Sequence, residues 1–253
     1  MASTDSIIKP ARRAVAETVS NRRASQYAGP EFVTGAGLGW GIDNPGYVAF
    51  FDALIDGRLK LGQTIKQEEL AEILGLSLSP MRETTTLLEA EGLITVRRRV
   101  GLTIFYPDVR FVGNTFQFRE MLEREGLRRF ARTVPPHWIS ERREEHRDVI
   151  DYVRAHPVRA TYREPVKQVE HRFHISFIEA FDNDQITVIY KRLTQKMFIL
   201  RLLTPESVGP ANTILSMREH MVVIDALELG DVDGAVRALE THVRNVLHRV
   251  LTT

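Results

Sequence analysis

Residues 67–101 constrain the fold more than any other stretch, because their pattern predicts two short helices followed by a β-hairpin. Apolar residues recur at helical spacing until Gly75, a residue type that readily takes the left-handed conformation closing a helix. Ser79 and Pro80 suit the cap and the first position of a second helix, which Gly92 ends. The short link between the two predicts a helix-turn-helix pair.

The predicted hairpin carries a concentrated positive charge. Two short runs of β-forming residues, 93–96 and 102–105, flank three consecutive arginines. Their spacing places Arg97, Arg98 and Arg99 at the tip of the hairpin. A helix-turn-helix followed by such a hairpin is a winged helix-turn-helix, in which the second helix enters the major groove of DNA.

A further helix is predicted before this stretch. Asn44 and Pro45 suit its cap and first position, and apolar residues recur at helical spacing until Gly57. We expect this helix to support the helix-turn-helix pair from behind. Residues 1–40 contain many small residues and two basic pairs, and are interpreted either as a mobile extension or as a basic arm that reaches DNA phosphates or the second domain.

Length and composition limit the class of protein. At 253 residues, of which 43% are hydrophobic and 26% charged, the chain suits two globular domains. It contains no cysteine, which excludes disulfides and thiolate catalysis, and its net charge of +1 does not by itself indicate nucleic acid. No apolar run approaches a membrane span and the first residues lack a secretory signal, so we expect a cytoplasmic protein without a membrane partner.

The motifs of residues 45–105 resemble the DNA-binding domain of the GntR family of bacterial transcription regulators. The patterns G-x-L-x-x-G, LA-x-x-LG-x-S, P-x-RE and L-x-x-EGL occur here in the family's order and spacing. Two positions depart from the family, with Leu78 where an arginine is common and Thr84-Thr85 where Ala-Leu is common. The missing arginine removes an expected phosphate or guanine contact, so an unusual operator is predicted.

Candidate DNA contacts are short polar side chains and arginines on the second helix and the wing. They are Ser77, Ser79, Arg82, Thr84, Arg97, Arg98, Arg99 and Gly101. Arg82 is placed for bidentate guanine recognition or for a phosphate contact. The alternatives are an intrahelical ion pair of Arg82 with Glu89 and a merely solvated basic turn at the wing.

After residue 106 almost every segment has helical spacing. Helices are predicted over about residues 111–131, 138–154, 163–181, 185–203, 210–229 and 232–251. The fold class is therefore mostly α: a winged helix-turn-helix of three helices plus a small hairpin over residues 41–106, then an all-helical bundle of six or seven helices over residues 107–253.

One carboxylate and three histidines of the bundle suit a divalent metal ion. Glu170 and His174 lie one turn apart, while His220 and His242 lie on the last two helices, which a short loop makes neighbours. Such a set suits zinc, nickel or manganese. Spacing alone leaves open that these histidines are ordinary core or surface residues.

The same half resembles the FCD domain, the ligand-sensing domain that accompanies this DNA-binding module. The family pattern D-x-x-F-H, its later Asn and its two further histidines correspond to residues 170–174, Asn183, His220 and His242, with Glu170 replacing Asp. The resemblance implies that Glu170, His174, His220 and His242 hold the metal, most readily zinc, with His171 as a less favoured substitute for Glu170.

The resemblance also gives Arg119 a role. In the motif R-x-x-L-E it implies that Arg119 binds the carboxylate of an effector beside the ion; a surface pair with Glu123 is the alternative. The other histidines are interpreted as surface or core residues. They are His137, His146, His156 and His248.

The predicted function is sequence-specific regulation of transcription by a homodimer on a pseudo-palindromic operator of double-stranded DNA. Repression is favoured, with operator affinity controlled by a small organic acid at the metal site. Two alternatives stay open: a metal-dependent enzyme with a winged-helix targeting module, and a regulator with a purely structural metal. The enzyme is disfavoured, because no nucleophile or general-base motif accompanies the histidines.

Overall fold

The computed structural model describes residues 44–252, so the extension predicted for residues 1–40 lies outside the described residues. The elements run in the following order: α1 (Pro45–Ile55), β1 (Thr64–Ile65), α2 (Gln67–Leu74), α3 (Leu78–Ala90), β2 (Ile94–Arg97), β3 (Gly101–Ile104), α4 (Val109–Phe130), α5 (Pro136–Ala155), α6 (Arg159–Glu179), α7 (Asp184–Leu203), a 3₁₀ turn (Pro205–Val208), α8 (Pro210–Glu228) and α9 (Val232–Thr252). This order confirms a winged helix-turn-helix followed by a helical bundle.

The head, residues 44–106, packs three helices on a three-stranded antiparallel sheet in the order β1-β3-β2. Asn44 caps α1 by accepting a 2.9 Å hydrogen bond from the backbone N–H of Tyr47. Strand β1 was not predicted from the sequence, since only its two residues pair with β3. So short a strand has no periodicity to detect.

Helix α3 begins earlier than the sequence predicts. Ser77 occupies the cap position and Leu78 is the first helical residue, so the prediction of Ser79 as cap is wrong. Pro80 lies in the first turn rather than at its first position. A proline is tolerated there because the first N–H groups of a helix have no partner within the helix.

The wing is a tight hairpin whose tip is set by its backbone. Arg97 ends β2 and pairs with Gly101, whereas Arg98 and Arg99 lie in the turn. Arg99 has φ of 67° and Gly101 has φ of 128°. A Cβ at Gly101 would lie 2.5 Å from the carbonyl oxygen of Ile65, so close packing of the strands requires glycine here.

The bundle, residues 107–252, contains six helices among its described residues, which agrees with the predicted six or seven. Asp108 caps α4 through the N–H of Phe111, and Asp231 accepts a hydrogen bond from Gly234 at the start of α9. Helix α6 starts at Arg159, four residues before the predicted start near 163, and it contains Pro165. None of the helices described is long and apolar enough to cross a membrane.

Helix α7 belongs to the bundle but also contacts the head. Ile199 lies in the hydrophobic core of the head, and the ring of Phe198 lies 6.2 Å from that of Phe51. The hydroxyl of Tyr47 donates a hydrogen bond to Oε1 of Gln195. The two parts therefore share apolar surface, to which α7 contributes together with α4, where the rings of Phe105 and Phe111 lie 4.6 Å apart.

Candidate metal and effector site and candidate DNA-binding surface

Three buried histidines from three helices of the bundle converge on one point. They are His174 of α6, His220 of α8 and His242 of α9, with relative exposures of 5%, 0% and 1%. One ring nitrogen of each can be chosen so that all three lie within 4.8 Å of one another, and the Nε2 atoms of His220 and His242 are 3.1 Å apart. The spacing is suitable for a single ion.

Two of the histidines are oriented by carboxylates. Nδ1 of His174 lies 2.9 Å from Oε2 of Glu123, and Nδ1 of His242 lies 2.8 Å from Oε2 of Glu219. Arg249 in turn holds Glu219 with two 2.9 Å contacts. The hydrogen bond between His242 and Glu219 places the proton of that ring on Nδ1 and leaves its Nε2 lone pair to face Nε2 of His220, whereas Nε2 of His174 lies 2.8 Å from the guanidinium of Arg119.

Burial keeps His220 and His242 uncharged. It lowers the pKa of His242 to about 4 and lowers the pKa of His220 well below its ordinary value, with the neighbouring histidines adding to the second effect. Neutral imidazoles are the form that binds metal ions. Three imidazole nitrogens with an adjacent carboxylate fit a zinc, nickel or manganese ion.

Glu170 lies beside the cluster rather than within the group of three. Its Oε1 is 3.8 Å from Nε2 of His220, and its Oε2 accepts a 2.8 Å hydrogen bond from Arg201. Burial would raise its pKa, but Arg201 and His174 outweigh burial and lower it to about 2. Glu170 is thus an ionised carboxylate next to the histidines, whereas His171 is exposed.

Arg119 is buried at 4% relative exposure and touches the cluster directly. Its Nε donates a 2.7 Å hydrogen bond to Oε1 of Glu123, and its NH2 lies 2.8 Å from Nε2 of His174. The sequence suggested a surface ion pair of Arg119 with Glu123 as the alternative role of this arginine. The ion pair exists, but it is buried. Tyr190 completes the network by donating a 2.6 Å hydrogen bond to Glu123.

This network fixes opposite charges in the interior. Burial alone would raise the pKa of Glu123, but Arg119 and His174 lower it far below its usual range. Burial alone would lower the pKa of Arg119, but Glu123 raises it. Both side chains are therefore charged.

A cavity of about 670 Å³ opens beside the histidines. Arg119, Glu170 and His174 lie in its wall, and more cationic than anionic side chains line it. Asp52 and Arg58 of the head also line it, so it extends along the contact between head and bundle. A small anionic molecule fits its size and charge.

Sequence reasoning missed one buried histidine of this region. His146 has a relative exposure of 0% and contacts His220, although it was interpreted as an ordinary surface or core residue. The helical spacing of His146 with Val149 and Val153 marks the buried face of α5. That signal indicates burial, but the contact with His220 depends on how α5 packs on α8.

The candidate DNA-binding residues divide by exposure. Ser77, Ser79 and Arg82 are exposed at the start of α3, and the wing arginines are exposed as well. Thr84 has a relative exposure of 1%, and its hydroxyl donates to the side chain of Asn44, so it faces the interior of the head. Gly101 is half-buried and shapes the wing.

Arg82 projects from the face of α3 that also carries the exposed Thr86, four residues later. Glu89, the partner considered from the sequence, accepts a 3.2 Å hydrogen bond from the backbone N–H of Val96. Leu78, at the position where an arginine is common, is 63% exposed. Within α3 and the wing, both of which the structure describes, the exposed cations are therefore Arg82, Arg97, Arg98 and Arg99.

Two family models match separate parts of the chain. Residues 51–104 match the family described as "Bacterial regulatory proteins, gntR family", and residues 114–245 match the "FCD domain". The first match covers the helix-turn-helix and wing, and the second covers the bundle with its histidine cluster.

Individual relatives extend the likeness over most of the chain. The HTH-type transcriptional regulator YdhC of Bacillus subtilis is 23% identical over 78% of this chain and 88% of its own. A protein of Paenarthrobacter nicotinovorans named "Probable D-xylose utilization operon transcriptional repressor" is 26% identical over 75% of this chain and 80% of its own. The solved structure of Escherichia coli McbR/YncC has the same fold, with a TM-score of 0.64, 18% identity, and coverage of 83% of this chain and 98% of its own.

Proposed function

Because the chain belongs to the GntR family of bacterial regulatory proteins and carries an FCD domain, it is a transcription regulator, and we propose that a small organic acid at the histidine cluster controls its affinity for an operator. In this proposal residues 41–106 bind DNA, residues 107–253 bind the effector, and residues 1–40 form an extension.

The observation that carries the proposal is the double contact of helix α7. On its bundle side, Tyr190 donates to Glu123 and Arg201 donates to Glu170, so α7 is tied to both carboxylates beside the histidines. On its head side, Gln195 accepts from Tyr47. A shift of the groups around the cluster therefore reaches the DNA-binding head through one rigid helix.

The proposed ion is zinc, with nickel or manganese as alternatives. His174, His220 and His242 would supply three nitrogen donors and Glu170 a carboxylate oxygen. When bound, the ion supplies positive charge and a coordination position for a carboxylate. Arg119, whose guanidinium already lies against His174, would take the second oxygen of that carboxylate.

Linkage gives the direction of control. If the effector binds more tightly to the conformation that binds DNA poorly, it lowers the affinity of the protein for the operator. By reciprocity, bound DNA lowers the affinity for the effector by the same factor. Coupling energies of this kind are about 1–3 kcal/mol, or roughly 5- to 150-fold in affinity. We favour repression, in keeping with the name of the relative from Paenarthrobacter nicotinovorans.

On the DNA side, the proposed contacts are the exposed residues of α3 and the wing, with Thr84 and Gly101 acting through the structure of the head. The named contacts are Ser77, Ser79, Arg82, Arg97, Arg98 and Arg99. Two heads of a homodimer would read a pseudo-palindromic operator, because a two-fold axis in the protein matches one in the site.

The test is titration of a DNA duplex from the protein's own upstream region, followed by fluorescence anisotropy at several salt concentrations. We expect specific binding that weakens steeply with salt, and an affinity that changes when zinc and candidate organic acids are added. An unrelated duplex of equal length is the control. Binding that is equal for both duplexes would contradict sequence-specific regulation.

A structural ion is the second candidate, and it predicts the opposite result for organic acids. The cavity favours a sensing role, because Arg119 and His174 lie in its wall rather than being sealed from it. Zinc that binds and stabilises the protein, while no organic acid changes its DNA affinity, would support the structural role.

A further inference from the structure

His146 of α5 forms a hydrogen-bonded chain with His220 on the side away from the other two histidines. Its Nε2 lies 3.0 Å from Nδ1 of His220, and its Nδ1 lies 2.6 Å from the backbone carbonyl oxygen of Arg142. Its ring also packs edge-on against Phe173, with 5.4 Å between the ring centroids. The ring is thus held on two sides by hydrogen bonds and on its face by an aromatic neighbour.

The direction of each hydrogen bond in this chain follows from chemistry. A carbonyl oxygen only accepts, so Nδ1 of His146 carries the proton that lies between it and Arg142. In a neutral ring Nε2 is then an acceptor, and the proton between the two rings belongs to Nδ1 of His220. The Nε2 lone pair of His220 then faces that of His242, with 3.1 Å between the two nitrogens, and a cation placed between them would satisfy both.

We propose that His146 is a positioning residue that fixes His220 in the tautomer and orientation needed to bind a metal ion. The inference rests on the proposed metal site but concerns a residue outside the predicted ligands. His146 does for His220 what Glu219 does for His242, and Oε2 of Glu123 lies 2.9 Å from Nδ1 of His174. Each of the three proposed ligands thus has its own buried partner within about 3 Å of Nδ1.

The acceptor for His220 differs from the other two because it is neutral. Glu123 is paired with Arg119 and Glu219 with Arg249, so each carboxylate has a cation to offset its buried charge. Next to His220 the wall is formed by Phe173, whose ring stacks on His220 with 4.2 Å between centroids. An imidazole backed by a carbonyl supplies an acceptor there without burying another charge.

The experiment compares the full-length wild type with His146→Gln and His146→Leu. Glutamine keeps an acceptor near the position of the imidazole Nε2, whereas leucine fills space without one. After metal removal, zinc affinity is measured by competition with a chromogenic chelator. We expect the leucine variant to lose 10- to 100-fold in zinc affinity, which is the effect typical of removing an outer hydrogen bond of this kind. The glutamine variant should lose less than about 3-fold, because it keeps an acceptor.

Two spectroscopic readouts separate positioning from a general effect on folding. In the metal-free wild type, long-range nitrogen–proton NMR correlations should show His220 protonated at Nδ1. With cobalt as a probe ion, wild type and the glutamine variant should share one d–d absorption spectrum, and the leucine variant should differ. Circular dichroism and thermal unfolding of each metal-free variant report whether it is folded.

The outcomes distinguish this inference from the proposed function. Failure of the wild type to bind zinc, nickel or manganese contradicts the metal site and this inference together. Equal zinc affinity and cobalt spectra in wild type and the leucine variant overturn the role of His146 alone. If the leucine variant does not fold, the wild-type NMR spectrum and the zinc affinity of the glutamine variant decide. A proton on Nε2 of His220 in the wild type, or a 10-fold loss of zinc affinity in the glutamine variant, overturns the role of His146.

Discussion

Individual side chains around the histidine cluster hold its rings in place through close polar contacts. His174 and His242 are oriented by carboxylates, and His220 by another imidazole. Burial keeps two of these rings neutral, because it lowers the pKa of both His146 and His242 to about 4. The stability of the metal-free protein should therefore depend on pH in a direction that these residues determine.

We predict that the free energy of unfolding falls as pH is lowered from about 6.5 toward about 4 in the presence of a chelator. The unfolded chain binds protons on its histidines near the ordinary pKa of 6.5, while His146 and His242 stay neutral in the folded state until about pH 4. The unfolded state thus holds more protons in this window, and each such histidine contributes a slope of up to roughly 1.4 kcal/mol per pH unit.

Urea unfolding at pH 7.5, 6.5 and 5.5 measures this dependence. Below about pH 4.5 the carboxylates add to the loss in the same direction, because the pKa of Glu170 and that of Glu219 are lowered to about 2 in the folded state. His146→Gln removes one titrating group and should reduce the slope between pH 6.5 and 5.5. A free energy of unfolding that is constant between pH 7.5 and 5.5 would contradict the conclusion that His146 and His242 are neutral in the folded state.

Arg82 should make the largest single contribution to operator affinity. It is exposed at the start of α3, where the guanidinium can reach a guanine edge with two hydrogen bonds. Arg82→Ala should weaken operator binding by about 1–3 kcal/mol, or roughly 5- to 150-fold, in fluorescence anisotropy. Arg154→Ala, an exposed arginine of the bundle, is the matched control and should change affinity less than about 2-fold. An equal loss on unrelated DNA would mean that Arg82 contacts phosphate instead.

Some contacts of individual residues could be predicted from the sequence and others could not. His174, His220 and His242 were predicted, because their motifs recur in a known family, and the structure brings them together. The burial of Thr84 against Asn44 and the contact of His146 with His220 were not predicted. Both depend on packing between helices far apart in the chain, which the spacing of residues within one helix does not contain.

Among the elements, α7 contacts both the proposed effector site and the DNA-binding head. Its bundle side holds Tyr190 and Arg201 against the carboxylates beside the histidines, and its head side holds Gln195 and Phe198 against α1. Such a helix transmits a shift only if its contacts with both parts are kept. The hydroxyl of Tyr47 is the most selective place to weaken the contact.

Tyr47→Phe should reduce the effect of zinc on operator affinity while leaving the fold of the head intact. The ring keeps its packing on Phe51, with 5.3 Å between centroids, and only the hydrogen bond to Gln195 is lost. We expect the ratio of operator Kd with and without zinc to move toward one, by an amount equivalent to about 0.5–2 kcal/mol. Tyr106→Phe, an exposed tyrosine of the head, is the control. An unchanged ratio would remove this contact from the route of control.

Elements were predicted well where the periodicity is long and less well where the elements are short or contain proline. All six bundle helices and the helix-turn-helix were expected, because apolar spacing persists over many turns. The two-residue strand β1 and the start of α6 were missed. In α6, Pro165 lies inside the helix rather than in its first turn, and the helix tolerates it because surrounding packing outweighs the lost hydrogen bond.

For the whole molecule, the contact between head and bundle makes the two domains depend on each other. Ile199, a residue of the bundle, has a relative exposure of 1% because it lies in the core of the head. The cavity beside the histidines is lined by residues of both parts, including Arg58 of the head. A bound anion would therefore touch the DNA-binding head directly as well as through α7.

Ile199→Ala should destabilise the head more than the bundle. Removing a buried isoleucine costs about 2–5 kcal/mol when the cavity cannot collapse, and here the cavity would open between α7 and α1. Hydrogen exchange measured by mass spectrometry should show faster exchange in peptides from α1 and α3, with little change in α9. Val243→Ala, in the core of the bundle, should give the reverse pattern. If both variants accelerated exchange equally everywhere, head and bundle would unfold as one cooperative unit, and control by the effector would have to act without any separate movement of the head.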